Sequence, residues 1–248
     1  MAIHRMYLHS VPPVGGIALI EGDEAKHAVR VKRIEPGNAV QLLDGAGTVA
    51  DGAVLGTEAL TEEQQARRAR RGEWLLPVRI ERVTRAAPVR PALHVLTATP
   101  KGARLEEMID GLSQVGAASW SPLETQRGVV DPRDTKLARL ERVAVEASKQ
   151  CGRPWLLKTG PQRRFVDAVA WNSGPVILAD AGGGAYAPQG AEDISLLIGP
   201  EGGWTQGELQ AAERAGVRIY SFGPHVMRIE IAAVAASAII LGAEGSGR

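Results

Sequence analysis

The stretch Leu196-Leu-Ile-Gly-Pro-Glu-Gly-Gly-Trp-Thr-Gln-Gly-Glu208 decides the fold of this chain, because in it a buried strand turns into a helix. The apolar run at residues 194–198 predicts the strand, which breaks at the glycine-rich turn 199–203. Thr205 and Glu208 then have the spacing of a capping box, so a helix is expected to begin there. A strand, a turn and a helix in this order present bare backbone amides to a ligand. The alternative is a tight turn that binds nothing.

Length and composition restrict the class of protein. The chain has 248 residues, of which 44% are hydrophobic, and a net charge of +1. It can therefore bury a core in one or two domains, and any surface for nucleic acid must be local. The single cysteine, Cys151, excludes a disulfide framework and a cysteine-based zinc site, and we expect no bound metal. No signal peptide is recognisable, and the longest apolar stretch is too short to span a membrane, so we expect a cytoplasmic protein.

Residues 1–86 are predicted to be rich in β-strands that are joined by glycine turns. The candidate strands are residues 17–20, 39–43, 48–55 and 75–83. One helix is expected between them, from Asp23 to Arg33, and its cationic side chains either form a solvated face or contact RNA phosphates. Residues 64–71 are interpreted as a mobile, arginine-rich loop.

The two prolines of residues 86–91 mark a predicted linker. Beyond it, strands and helices alternate, which is typical of a parallel α/β domain. The candidate strands are residues 93–98, 120–123, 175–179, 194–198 and 219–222. Helices are expected from about residue 105 to a stop at Gly116, from residue 134 to 150, and after each of the last two strands.

Three glycine-bearing loops follow the last three predicted strands, at residues 180–184, 199–203 and 222–228. In a parallel sheet these loops share the carboxyl edge and form a pocket whose walls are largely backbone. Such a pocket suits a ligand with an adenine ring, which main-chain groups can recognise. The chain has neither a Rossmann nor a P-loop motif, so a phosphate-rich cofactor is disfavoured.

Two of these loops carry motifs that resemble the RsmE family of ribosomal RNA methyltransferases, within the SPOUT class. The motifs are Leu197-Ile-Gly-Pro-Glu-Gly-Gly203 and Gly223-Pro-His-Val-Met-Arg-Ile-Glu-Ile-Ala232. Further matches are Pro100-Lys-Gly102, Gln150-Cys-Gly-Arg153 and the helix of residues 27–33, in the family's order over nearly the whole chain. The match with the first motif and its following helix is specific.

The resemblance implies a fold of two domains. Residues 1–86 would form a PUA-like RNA-binding β-barrel, and residues 90–248 a trefoil-knotted SPOUT methyltransferase domain that binds S-adenosylmethionine. It also implies a homodimer and methylation of N3 of a uridine in the decoding region of 16S ribosomal RNA. The partner would be that RNA or the small ribosomal subunit. The alternatives are a retargeted methyltransferase and a non-catalytic RNA-binding paralogue in ribosome assembly.

The resemblance and the predicted loops together indicate the site residues. Twelve are expected to contact the cofactor: Ala179, Asp180, Gly182, Ile198, Gly199, Pro200, Glu201, Gly202, Phe222, Gly223, Val226 and Met227. Five basic residues are expected to contact RNA: Arg30, Lys32, Arg33, Lys101 and Arg104. The alanine-rich helix 232–241, apolar on nearly every face, is expected to be covered in a homodimer.

The expected catalytic residues are Arg228, Glu201 and Glu230. Uridine N3 carries a proton at neutral pH, so catalysis needs a base or a cation that stabilises charge on O2 and O4. Arg228 is the candidate cation, and either carboxylate could orient it or accept the proton. The alternatives are a structural ion pair for Arg228 and a helix N-terminal carboxylate for Glu230.

Four residues depart from the family's pattern. Ile229 and Ile231 stand where the family has threonines, and Gly111 and Gln114 stand where it has a lysine and a glutamate. We expect these differences to bear on the substrate, whereas the retained loop glycines favour cofactor binding.

Overall fold

The computed structural model describes residues 3–130, 137–171 and 173–245. The described chain divides into two compact units. The first contains the residues up to 87 together with 149–155, and the second contains the remainder.

The first unit is built on a five-stranded sheet. Its strands are β1 (His4–Tyr7), β2 (Ile17–Glu21), β3 (Ala39–Leu43), β4 (Thr48–Val54) and β5 (Leu75–Arg85). Their order is β1-β3-β4-β5-β2, with a parallel β1–β3 pair and antiparallel pairs elsewhere. Alternate residues of β4 are buried, as expected of a strand with one face on the core. The four predicted strands are confirmed, and β1 was not predicted.

One predicted helix of this unit is confirmed with a change of type, and one loop prediction was wrong. The expected helix 23–33 is α1 (Gly22–Lys26) followed by a π-helical turn (His27–Val31), which the Lys32 amide closes by donating to the His27 carbonyl at 3.1 Å. Sequence periodicity over ten residues cannot reveal one extra residue in a turn. Residues 64–71 are not a loop but lie in helix α2 (Glu62–Arg71). No residue of α2 is buried, so no apolar period marks it in the sequence.

The second unit is a parallel α/β layer structure, as predicted. Its sheet has the order β12-β10-β11-β6-β7-β8, and each pair of neighbours in this order is parallel. The strands are β6 (Ala92–Thr97), β7 (Ser119–Glu124), β8 (Lys158–Thr159), β9 (Arg163–Arg164), β10 (Val176–Ala185), β11 (Asp193–Ile198) and β12 (Arg218–Ser221). The short β9 pairs with the end of β7.

Five helices accompany this sheet within the described residues. They are α3 (Arg104–Val115), α4 (Leu137–Cys151), α5 (Phe165–Val169), α6 (Gln206–Arg214) and α7 (Ile229–Gly245). The predicted start of α4 at residue 134 lies outside the described residues. Helix α3 packs on α7, and a Cβ at Gly111 would lie 2.7 Å from Cγ2 of Val234. Gly111 therefore permits a close approach of the two helices that a larger residue would prevent.

The end of α7 is tied to the segment after β10. Glu244 accepts hydrogen bonds from the Tyr186 hydroxyl at 2.6 Å, from the Gln189 amide at 2.5 Å and from the Gly190 amide at 3.1 Å. Burial, together with the hydrogen bond to Glu244, raises the pKa of the Tyr186 hydroxyl above its ordinary value. Tyr186 therefore remains a neutral donor to this carboxylate.

Across the described helices, none has the length and apolar character needed to cross a membrane.

Candidate functional site

A cavity of about 300 Å³ lies at the carboxyl ends of β10, β11 and β12. Eleven of the twelve residues predicted to contact a cofactor line it: Ala179, Asp180, Ile198, Gly199, Pro200, Glu201, Gly202, Phe222, Gly223, Val226 and Met227. Three neighbouring parallel strands meet the cavity at the sheet edge where ligands bind in open α/β folds. The volume of the cavity is at the lower end of those of small-molecule sites.

The first predicted loop differs from its expected form. Residues 180–184 belong to β10, which continues along β12 through a register shift between Ala179 and Gly184. Three consecutive glycines predicted a loop, but here they let the strand bulge and resume its pairing. Gly182 does not line the cavity, and its amide donates to Oδ1 of Asp180 at 2.8 Å.

Trp204 holds the middle loop against the sheet. Its indole Nε1 donates to the Ala179 carbonyl at 2.9 Å, and its ring lies 5.3 Å from that of Phe165. A Cβ at Gly199 would lie 2.8 Å from Cε2 of the indole, so this position requires glycine. Trp204 also lines the cavity, although no role was predicted for it. The only signal for it was an aromatic residue directly after the glycine turn.

Helix α6 begins with the predicted capping box. The Glu208 amide donates to Thr205 Oγ1 at 3.2 Å, and the Thr205 amide donates to Glu208 Oε2 at 2.8 Å. The second carboxylate oxygen of Glu208 accepts from the Gln126 amide at 2.9 Å. Glu208 is only 4% exposed, and these bonds satisfy its buried charge.

The charges around the cavity restrict its ligand. Asp180 and Glu201 contribute carboxylates to the wall, and His225 also lines it. The lining residues of the described chain include no lysine or arginine. The wall therefore disfavours phosphate and suits a ligand that carries hydrogen-bond donors or positive charge.

Arg228 lies at the edge of the cavity rather than in its wall. Its neighbours Met227 and Ile229 both line the cavity, whereas Arg228 itself is exposed. Its side chain has no hydrogen-bond or ion-pair partner among the residues that the structure describes. The alternative of a structural ion pair for Arg228 is therefore not seen within the described chain.

Glu230 is buried in the first turn of α7 and does not line the cavity. Its Oε1 lies 3.8 Å from Nε of Arg104, and its Oε2 has no hydrogen-bond partner within the described residues. The alternative of a helix N-terminal carboxylate fits the place of Glu230 in the first turn of α7, although the described residues show no hydrogen bond from the amides of that helix to its Oε2. Arg104, which is predicted to contact RNA, is paired with this carboxylate and is partly exposed.

The other predicted RNA contacts are exposed. Arg30 lies with its guanidinium carbon 5.1 Å from the Trp74 ring centroid, and Lys32 and Arg33 follow it in the first unit. Lys101 is exposed in the second unit. Helix α2 carries a larger group of arginines than α1 and the π-helical turn that follows it.

The residues that depart from the family's pattern have distinct surroundings. Ile229 is 3% exposed and lines the cavity, whereas Ile231 is 55% exposed on α7. Gln114 donates to Asp110 at 2.7 Å across one turn of α3.

Among the residues described, no group of three histidine, cysteine or acidic side chains is arranged to hold a metal ion.

Family models match both units of the chain. Residues 87–241 match an RNA methyltransferase domain, and residues 20–59 match an RNA methyltransferase PUA domain.

Full-length relatives agree with these matches. The chain is 31% identical to ribosomal RNA small subunit methyltransferase E of Synechocystis sp., over 85% of this chain and 68% of that protein. It is 30% identical to the Mycobacterium bovis protein of the same name, over 99% of this chain and 92% of that one. A solved structure of the Neisseria gonorrhoeae protein of that name, bound to S-adenosyl methionine, has a TM-score of 0.80. The two chains are 21% identical, and their superposition covers 96% of each. The likeness shows that the fold is shared.

Proposed function

This chain belongs to the RsmE family of RNA methyltransferases, and from that membership we propose that it methylates a uridine of 16S ribosomal RNA at N3. The nucleotide would lie in the decoding region, and S-adenosylmethionine would be the methyl donor. The small ribosomal subunit or its RNA is the proposed substrate, and the cytoplasm is the proposed location.

The charge of the cavity wall carries the cofactor assignment. S-adenosylmethionine has a positively charged sulfur and an ammonium group, and its ribose hydroxyls donate hydrogen bonds. Asp180 and Glu201 supply acceptors for such groups, and the lining of the described chain holds no cation that would repel them. The backbone wall at Gly203, whose Cβ position has no neighbour within 4 Å, allows a flat ring to approach closely.

The cofactor supplies an electrophilic methyl group, so the chain itself must help the uracil to lose its N3 proton. We assign Arg228 to this task, because its guanidinium is unpaired within the described chain and because the residue stands between two cavity-lining residues in the sequence. A planar cation there stabilises negative charge on O2 or O4 of the uracil. This leaves the N3 lone pair free to attack.

The two carboxylates receive different roles. Glu201 is exposed and lines the cavity, so it is the candidate to accept the proton or to orient Arg228. Glu230 is buried and lies beside Arg104, so it acts through that residue and not directly on the uracil. Glu230 would thus hold Arg104 at the carboxyl edge of the sheet.

RNA binding is assigned to local basic groups, namely Arg30, Lys32 and Arg33 on the first unit and Lys101 and Arg104 on the second. Reversing the charge of Arg30 and Arg33 together should weaken RNA binding and reduce its salt dependence. Cofactor affinity should stay unchanged, and an equal loss of both affinities would indicate unfolding instead.

The homodimer and the trefoil knot of the second unit are part of the same proposal. Ile231 and Ile239 are 55% and 42% exposed on α7, and a second copy would cover them. Light scattering at micromolar concentration should give the dimer mass. A monomer mass would contradict the dimer.

The deciding experiment combines cofactor binding with product mapping. Calorimetry should show that the protein binds S-adenosylmethionine, and incubation with small subunits should yield N3-methyluridine at one position of 16S RNA. Binding without any methylation would favour the non-catalytic paralogue, and methylation of another nucleotide would favour a retargeted enzyme.

A further inference from the structure

The segment that follows β7 is bonded to the cavity's middle loop. Nη1 of Arg127 donates to the Gly202 carbonyl at 2.7 Å and lies 3.4 Å from the Trp204 carbonyl. One residue earlier, the Gln126 amide donates to Glu208 at 2.9 Å. These contacts join positions about 75 to 82 residues apart in the chain.

Apart from the anchor of Trp204 on the sheet, the loop between β11 and α6 fixes its own backbone through one internal turn. Its internal turn is closed by the Gly203 amide, which donates to the Pro200 carbonyl at 2.8 Å. Gly202 and Gly203 have no side chains that could anchor them, and glycines lose much conformational freedom on ordering. An outside donor that holds the carbonyls on both sides of Gly203 therefore restricts the part of the loop that is freest to move.

The Arg127 side chain also fits this place by its shape. Its Cβ and Cδ would each lie 3.5 Å from a Cβ built at Gly202, which is ordinary van der Waals contact. Its only hydrogen-bond acceptors within the described chain are the carbonyls of Gly202 and Trp204. The Arg127 guanidinium thus binds backbone oxygens of the cavity loop and no carboxylate of the described chain.

We propose that Arg127 is a positioning residue, which fixes the Gly202–Trp204 backbone in the orientation that cofactor binding requires. The identity of the ligand rests on the proposed function, but the loop ordering does not. Preorganisation of this kind increases affinity because the loop is already ordered before the ligand arrives. Arg127 should accordingly affect cofactor affinity and leave the rate at saturation near that of the parent.

The test uses a variant that keeps the aliphatic part of the Arg127 side chain. Arg127→Met keeps the aliphatic stem against Gly202 and removes the donors, whereas Arg127→Lys restores a cationic donor. Arg214→Ala, an exposed arginine at the far end of α6, is the matched control. Without cofactor, the Gly203 amide should exchange hydrogen faster in Arg127→Met than in the parent, Arg127→Lys or the control.

Calorimetry with S-adenosylmethionine then measures the effect on the ligand. Arg127→Met should bind about tenfold more weakly, as expected for the loss of a charged hydrogen-bond donor, and Arg127→Lys should recover most of that affinity. Unchanged exchange and affinity in Arg127→Met would overturn the proposal, as would an equal loss in all three variants. If the parent binds no S-adenosylmethionine, the proposed function fails, and the exchange rates of Gly203 still decide the role of Arg127.

Discussion

Helices α2 and α6 both begin at a threonine whose hydroxyl accepts from the amide three residues on, but they stand in contrasting surroundings. In α2, the Gln64 amide donates to Thr61 at 3.3 Å, and the Thr61 amide donates to the Gln64 side chain at 2.9 Å. No residue of that helix is buried. In α6, the third residue is the buried Glu208, which also accepts from Gln126.

The difference shows what a capping box does and does not determine. It fixes where the helix begins in both cases, since it satisfies amides that would otherwise lack partners. Only the box of α6 follows a strand, β11, that has a parallel neighbour on each side. The loop between β11 and α6 therefore lines a cavity. The cavity therefore results from the topology of the sheet around the start of α6. The capping box only fixes the position at which the helix begins.

The largest expected contrast is between two exposed arginines without a partner in the described chain, Arg228 beside the cavity and Arg68 on α2. Arg228→Ala should lower the single-turnover methylation rate by about two to three orders of magnitude, as losing one transition-state donor does. Cofactor and RNA affinities should remain nearly normal. Arg68→Ala should keep the parent rate. A full rate in Arg228→Ala would leave the catalytic cation unassigned.

A smaller contrast is expected between the glycines that precede the two helices. Gly202→Val places a branched side chain at the cavity wall and should weaken S-adenosylmethionine binding by about a hundredfold, because it fills space that the ligand needs. Gly56→Val, ahead of α2, should bind the cofactor like the parent. Calorimetry measures both, and equal affinity in Gly202→Val would place the ligand elsewhere.

The capping boxes themselves should differ in stability. Glu208→Ala leaves the amides of Thr205 and Gln126 without their acceptor in a partly buried place, and it should cost about 2 kcal/mol of unfolding free energy. Gln64→Ala should cost about 0.5 kcal/mol, because water replaces the lost bond at an exposed site. Urea titrations of both variants measure this, and similar losses would remove the contrast.

The smallest effect is expected from the arginines of α2. Replacing Arg68, Arg70 and Arg71 together by glutamine should change the unfolding free energy by no more than about 0.5 kcal/mol, since these side chains are exposed. Cofactor affinity should not change. A large destabilisation would show that α2 contributes to the fold through contacts other than its caps.

The contrast between the two helices also explains what the sequence could predict. The start of α6 was predicted because an apolar strand and a glycine turn precede Thr205. The box at Thr61 has the same spacing, but α2 has no apolar stripe and was interpreted as a loop. The parallel sheet and eleven cavity-lining residues followed from buried strands and the loops after them.

Features that depend on distant residues could not be predicted in this way. The Arg104–Glu230 pair and the bonds of Arg127 to the cavity loop join positions far apart in the chain, with no local pattern to mark them. The bulge of β10 was missed because three glycines favour a loop unless a neighbouring strand pairs with them.

The hydrogen bonds from residues 186–190 to Glu244 have a consequence for how the chain folds as it is made. Synthesis proceeds from the amino terminus, so Tyr186, Gln189 and Gly190 emerge from the ribosome before their shared acceptor, which lies 54 to 58 positions later. The Tyr186 ring packs 5.8 Å from that of Phe222 in the cavity wall. A nascent chain that stops short of Glu244 lacks the acceptor that these three groups share. We therefore expect residues 186–190, and with them the Tyr186 ring beside Phe222, to reach their final position only once α7 has been translated.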